Sequence, residues 1–306
     1  MIVQIYEIQT PNEAEKCLEA GVDHIGSVLF SQAEWKQPYI RETIRVSEGT
    51  LVKNSIIALF QDMNTLCTLL DYYRPDFIHF CESLTDPQGK EKDLDSLIQM
   101  QAGIREKFPE IGIIRSIPIP SRAIPGFPAL AMAKRIEPVS DLFLTDTWLG
   151  KEPVEGFIGI TGKTCDANTA KDLVKESKIP VILAGGLSAQ NVYNRLMQVL
   201  PVGADSCTGT NRTDGKGIPI RFQKDFIKVR RFVEQVRRAE GDILIEKKKV
   251  LEGEIRKLRE MLHEREAALP AHSVRPHRIR AIEELEDKIE IKEKEYRVIA
   301  GALIDS

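Results

Sequence analysis

Eight short runs of branched and aromatic apolar residues, each separated from the next by a stretch long enough to hold a helix, constrain this chain more than any other feature. They fall at residues 2–6, 23–29, 55–60, 77–80, 112–117, 141–146, 180–184 and 204–207. Strands joined by such crossovers run parallel, and a parallel sheet needs both faces covered, which suits runs this uniformly apolar. The sheet is then either a closed barrel or an open doubly wound sheet. An open dinucleotide-binding sheet carries its GxGxxG directly after the first strand. Here Glu7-Ile8-Gln9-Thr10 follows the first strand, and the glycines collect after the sixth, seventh and eighth. The expected fold is therefore of the α/β class, a (β/α)₈ barrel, whose phosphate site commonly lies on the loops after strands seven and eight.

A barrel of this kind takes about 200 to 250 residues, so the 306-residue chain leaves a remainder. The composition places the barrel at residues 1–237. Residues 238–306 are dominated by Glu, Lys, Arg, Leu and Ile, with Leu244, Leu251 and Leu258 recurring every seven residues, and Ile282, Ile289, Tyr296 and Leu303 doing the same. Pro270 and Pro276 lie between the two series, where a continuous helix would not tolerate them. A C-terminal antiparallel helical hairpin is expected. Its leading reading is a homo-oligomerisation element; the basic runs 247–249 and 275–280 keep a partner or nucleic-acid arm open.

With 42% hydrophobic residues the chain can bury a sizeable core, and a net charge of −3 gives no global reason to bind nucleic acid or an anionic membrane. No apolar stretch approaches a membrane span and no signal segment opens the chain. The five cysteines lack the paired spacing of a zinc or redox motif, so they read as reduced thiols in a cytoplasmic protein.

Leu183-Ala184-Gly185-Gly186-Leu187 closes the seventh strand, and Ser188 then starts a helix. Glycines let a backbone approach an anion, and free amides at a helix N-terminus stabilise phosphate; a plain tight turn is the alternative. Thr208 and Gly209, after the eighth strand, sit beside that loop in a closed barrel and complete a cradle for a phosphorylated small molecule. Gly162-Lys163-Thr164 imitates a nucleotide-binding P-loop, but the spacing puts Phe157 where the first glycine must stand. Asp146 ends the sixth strand, where barrel enzymes place catalytic groups, and acts there as a general acid or as a cap for the next turn. His79, Cys81 and Glu82 raise a metal or nucleophile reading without a second ligand cluster to support it. His272 and His277 read as exposed linker histidines, so no metal and no cofactor is expected.

These later motifs resemble phosphoribosylanthranilate isomerases, ribulose-phosphate-binding barrels of tryptophan biosynthesis, and the resemblance covers nearly everything up to residue 235. Phe143-Leu144-Thr145-Asp146-Thr147 is similar to the strand carrying the family's general acid, which implies that role for Asp146. Thr161-Gly162-Lys163-Thr164 resembles the next glycine loop, implying substrate contact at Gly162. Leu183 to Leu187 with Asn191-Val192 resembles the phosphate loop, and Asp205-Ser206-Cys207-Thr208-Gly209 the second one, implying phosphate binding by Gly185, Gly186, Thr208 and Gly209.

The resemblance also implies an Amadori-type isomerisation with a first-strand cysteine as base. That position is Tyr6, and Glu7 replaces the following glycine. A phenol titrates near 10 and is a poor base at neutral pH. Glu7 is a candidate substitute base, although successive strand residues face opposite ways. Lys36 is the candidate for the family's carboxylate-binding arginine after the second strand, and His79 opens the altered fourth-strand motif His79-Phe80-Cys81-Glu82, a candidate substrate contact. The expected function is an isomerase-like enzyme of diverged chemistry on a phosphorylated sugar or related metabolite, with a non-catalytic phosphometabolite sensor or scaffold as the alternative.

Overall fold

The structure, a computed structural model, describes residues 1–269 and 276–303. Its contacts divide the chain into two units, Met1–Arg237 and Arg238–Ser306.

In the first unit, eight parallel strands close into a barrel in chain order: β1 (Ile2–Tyr6), β2 (His24–Leu29), β3 (Lys53–Ala58), β4 (Phe77–Phe80), β5 (Gly112–Pro120), β6 (Leu142–Trp148), β7 (Val181–Leu183) and β8 (Gly203–Ser206). Closure comes from β1 against β8, with Ile2 opposite Gly203 and Gln4 opposite Asp205. Helices α1 (Pro11–Glu19), α2 (Pro38–Arg45), α3 (Met63–Tyr73), α4 (Leu94–Lys107), α5 (Ala129–Ile136), α6 (Ala167–Glu176) and α7 (Val192–Val199) fill the crossovers. Local chemistry starts them well. Thr10 and Glu13 form a reciprocal capping box ahead of α1, with Pro11 in its first turn, while Asp62, Asp93 and Asp166 cap α3, α4 and α6.

The alternation of side chains along each strand builds two cores. Leu29, Ile56, Ile78 and Ile113 face outward onto Leu66, Leu69 and Leu70 of α3, whereas Tyr6, Ile114, Leu144, Ile182 and Ala184 meet inside the barrel. Each fully buried side chain of this size stabilises the fold by about 1.5–3 kcal/mol. Gly26 on β2 is part of the inner packing, because a β-carbon there would run into the Tyr6 ring. Strands β5 and β6 run beyond the expected residues 117 and 146. They stay paired from Ile114 and Leu142 to Pro120 and Trp148, with Pro118 and Pro120 accommodated in the ladder. Proline normally argues against a central strand, so Pro118 and Pro120 mark a departure from that pattern.

One element was not expected at all. Between β8 and the helix that starts at Phe226, β9 (Asn211–Thr213) and β10 (Pro219–Lys224) form a two-stranded antiparallel hairpin.

The second unit comprises the part of one long helix beyond Arg237 and a second helix antiparallel to it. Helix α8 (Phe226–Ala267) runs unbroken past Gly241, where the composition changes, and α9 is Pro276–Ala302. The pairs Glu252–Tyr296, Glu254–Lys292, Arg259–Glu293 and Arg265–Ala281 run in opposite directions along the two helices. Exposed ion pairs of this sort contribute at most about 1 kcal/mol each, so the seam of Leu251, Ile255, Leu285 and Ile299 holds the pair. Pro270 and His272 lie outside the described residues. Among the described residues no helix is long and apolar enough to cross a membrane.

Candidate active site at the barrel mouth

A cavity of about 600 Å³, solvent at its mouth included, opens at the carboxyl ends of the strands. Tyr6, Glu7, His79, Asp146 and Asp205 all line it. The structure thus brings together four residues that the sequence singled out and one to which it gave no role.

On the β1–β4 side the polar groups bond to one another. Ser55 Oγ donates to Tyr6 Oη at 2.9 Å, Tyr6 Oη lies 2.5 Å from His79 Nδ1, and His79 Nε2 lies 2.9 Å from Ser116 Oγ. With Tyr6 donating to Nδ1, the imidazole carries its own proton on Nε2 and passes it to Ser116. Burial, helped by the nearby Arg115 charge, lowers the His79 pKa to about 3, and burial raises the Tyr6 phenol well above its usual value. Both shifts favour the neutral forms of the two side chains.

Glu7 corrects a second expectation. Its backbone adopts φ +62°, a left-handed conformation that a glycine takes without strain, and its side chain is 1% exposed. Its carboxylate accepts from Asn211 Nδ2 at 2.9 Å, Arg221 Nε at 2.7 Å and the Phe222 amide at 3.1 Å. Burial, the largest influence, pushes the Glu7 pKa up. The Asn211 bond, the Lys224 charge, the Phe222 amide and Arg221 together outweigh it, and the net shift is downward. An ionised carboxylate with three donors is an anchor for the β9–β10 hairpin, not a free base.

The β6–β8 side differs. Asp146, at the mouth end of β6, takes one short contact from the following Thr147 amide at 2.9 Å, and burial pushes its pKa up to about 7. Gly159 lets the loop after β6 close on this carboxyl, since a β-carbon there would lie 2.5 Å from Asp146 Oδ2. Asp205 on β8 accepts from Gln4 Nε2 at 3.2 Å and is raised to about 8, first by burial and further by Asp146. The residue reading missed Asp205; its signal was the register that puts it beside inward-facing Gln4. Cys81 and Cys207 also line the cavity, and burial raises both thiols, which keeps them out of the thiolate form.

The glycine loops converge beside this acidic side. Gly185 and Gly186 have φ +95° and +56°, and a β-carbon on Gly186 would meet the Lys163 backbone at 2.6 Å. One on Gly209 would strike the Leu187 carbonyl, and one on Gly162 would lie 3.8 Å from Thr208 Oγ1. Asn191 ties the seventh loop by donating to Gly186 O and accepting from the Ser188 amide. The 3₁₀ turn Thr208–Thr210 begins with amides that precede any acceptor within the turn.

Lys36 is elsewhere. It stands over the Tyr72 ring, in a groove with Trp35 and Asn64, because the loop before α2 packs onto α3 rather than over the mouth. Glu82 turns away from the cavity to pair with Arg115 at 2.6 Å, which separates it from His79 and Cys81. Among the described residues no three potential ligands gather to hold a metal, and His277 is exposed at the start of α9.

Fold and site together define a closed (β/α)₈ barrel with an acid-lined mouth and glycine loops after its last three strands. No family model matches the chain. It is 25% identical over 241 residues to the N-(5'-phosphoribosyl)anthranilate isomerase of Methanosarcina acetivorans, covering 77% of this chain and 92% of that protein. The isomerase structure from Pyrococcus furiosus superposes with a TM-score of 0.53 at 22% identity, over 78% of this chain and 99% of that one. A phosphoribosylanthranilate isomerase in complex with reduced 1-(o-carboxyphenylamino)-1-deoxyribulose 5-phosphate gives 0.53 at 17% identity, again over 78% of this chain and 99% of that one. Over about three quarters of its length the chain is thus similar to phosphoribosylanthranilate isomerases and shares their barrel fold, and a C-terminal helical pair follows that region.

Proposed function

We propose that the barrel acts on a phosphorylated sugar or related metabolite, with Asp146 as general acid and a chemistry diverged from phosphoribosylanthranilate isomerisation. One observation carries this reading: the Asp146 carboxyl lines the cavity at the end of β6 and is raised to about 7, so it has a proton to give near neutral pH. The glycine loops at Gly162, Gly185, Gly186, Thr208 and Gly209 support a phosphate beside it, as does the phosphate ester held by the related isomerase. The step we assign is acid-catalysed opening of a sugar ring: Asp146 gives its proton to the ring oxygen as the C–O bond breaks and the lone pair of the anomeric nitrogen or oxygen forms the C=N or C=O bond of the open chain. Asp205, raised to about 8, is the neighbouring group that exchanges the second proton.

Incubating the protein with phosphoribosylanthranilate and with pentose phosphates in D₂O, and following ring opening and proton exchange by NMR, tests the proposal. Turnover that disappears in Asp146→Asn supports it; turnover unchanged in that variant contradicts it. Growth of an isomerase-deficient tryptophan auxotroph carrying the gene would further identify the family's own reaction.

A non-catalytic phosphometabolite sensor is favoured by the bonded Ser55–Tyr6–His79–Ser116 chain, which fills the family's base position with neutral groups. Binding of a pentose phosphate without any turnover would establish that reading instead. We further read the α8–α9 pair as a self-association element, supported by exposed Ile245, Val250, Met261, Ile279, Ile291 and Val298. Deleting residues 240–306 should then lower the solution mass to that of a single barrel. The five free thiols support a cytoplasmic setting.

A further inference from the structure

We infer that Lys224, on the unexpected β9–β10 hairpin, is the buried counter-charge and positioning residue for an anionic phosphate at the Thr208–Gly209 turn. The inference rests on the phosphate reading above and names the charge that the site uses.

Lys224 is 6% exposed. Its ammonium donates to Asn211 Oδ1 at 2.6 Å, Cys207 O at 2.9 Å and Thr210 Oγ1 at 3.4 Å, and all three partners are neutral. A buried cation ordinarily sits against a carboxylate, because neutral acceptors alone repay little of its lost hydration. The carboxylate of Glu7 is reached through Asn211, which accepts from Lys224 and donates to Glu7. Glu7 is already paired with Arg221 at 2.7 Å. Asp205, the other carboxyl whose field Lys224 feels, is pushed toward its protonated form. With Lys228 on the Asn211 carbonyl and Asp225 beside it counted in, the cluster of Lys224, Arg221, Lys228, Glu7 and Asp225 holds three cations against two carboxylates next to the second glycine loop. An anion in front of that loop would balance it.

Lys224 also sets the direction of the turn. Together with the Thr210 amide and hydroxyl it holds the Cys207 carbonyl, which fixes one side of the Cys207–Thr208 peptide, and in a trans peptide the Thr208 N–H points the opposite way. The donor is thus turned away from the Lys224 ammonium. Lys224 touches no ligand in this arrangement; it acts through the turn and through its charge.

Two measurements with inorganic phosphate as probe test the inference on the full-length chain. In ³¹P NMR titrations, phosphate bound to the wild-type protein should show a second pKa below that of free phosphate, since a nearby cation favours the dianion. Lys224→Met should weaken phosphate binding about 10-fold or more and raise the bound pKa toward the free value, while Lys224→Arg, which keeps the charge, should restore most of both. Wild-type phosphate bound with an unshifted or raised pKa would overturn the inference even if Lys224→Met failed to fold. So would a folded Lys224→Met protein with wild-type affinity and bound pKa. If the wild-type protein binds no phosphate at all, the phosphate reading itself falls, and this inference with it.

Discussion

The two halves of the barrel mouth handle polar groups in opposite ways. Between β1 and β4, Ser55, Tyr6, His79 and Ser116 satisfy one another, and Glu7 is drawn off to hold the β9–β10 hairpin. Between β6 and β8, half-buried Asp146 and buried Asp205 have few donors, and their pKa values are pushed up to about 7 and 8. The same burial that silences an imidazole keeps a carboxylic acid ready to donate.

This contrast sets opposite pH slopes for stability. His79 has a folded pKa of about 3 against an unfolded value near 6.5, so only the unfolded chain takes up a proton between them. Its contribution is complete above pH 6.5 and is lost as pH falls toward 3, by up to roughly 5 kcal/mol. His79→Gln should flatten that acid limb in urea melts followed across pH; an unchanged limb would break the comparison on the β4 side. Asp146 works the other way. Its folded pKa of about 7 lies above the unfolded value near 4, so the native state holds the extra proton and loses stability as pH rises through that window. Asp146→Asn should therefore be more stable than the wild-type protein at pH 8, by up to roughly 4 kcal/mol, while losing about 10²-fold or more in turnover. A variant both less stable and fully active would remove Asp146 from the account.

Smaller effects sharpen the picture. Gly186→Ala forces a side chain onto a backbone at φ +56° and against Lys163, and should cost about 2–3 kcal/mol with loss of phosphate binding, read by thermal melts and ³¹P titration. Tyr6→Phe leaves His79 Nδ1 without its donor and should cost about 1–3 kcal/mol in the same melts, with little effect on any Asp146-dependent turnover. A large loss of turnover there would return Tyr6 to the chemistry.

Much of this was legible in the residues. The eight apolar runs specified the barrel, because strand periodicity and crossover length are local properties, and Asp146 with Gly185, Gly186, Thr208 and Gly209 stood out as strand-end and loop chemistry. What the residues concealed depends on distant partners. The β9–β10 hairpin is short and polar, reads as loop, and is held by Glu7, which lies more than 200 positions earlier in the chain. Glu7 was readable as a base only while its partners were unknown. Lys36 was placed by position after β2, but ring contacts with α3 carry it away. Asp205 needed the β1–β8 register, which no local pattern supplies.

The most direct test of the central claim is a ¹³C NMR titration of the aspartate carboxyls, assigned with Asp146→Asn and Asp205→Asn. The account predicts two carboxyls that stay protonated to near pH 7 and 8, each shifting when the other is replaced. Both titrating below pH 5, as exposed aspartates do, would contradict it.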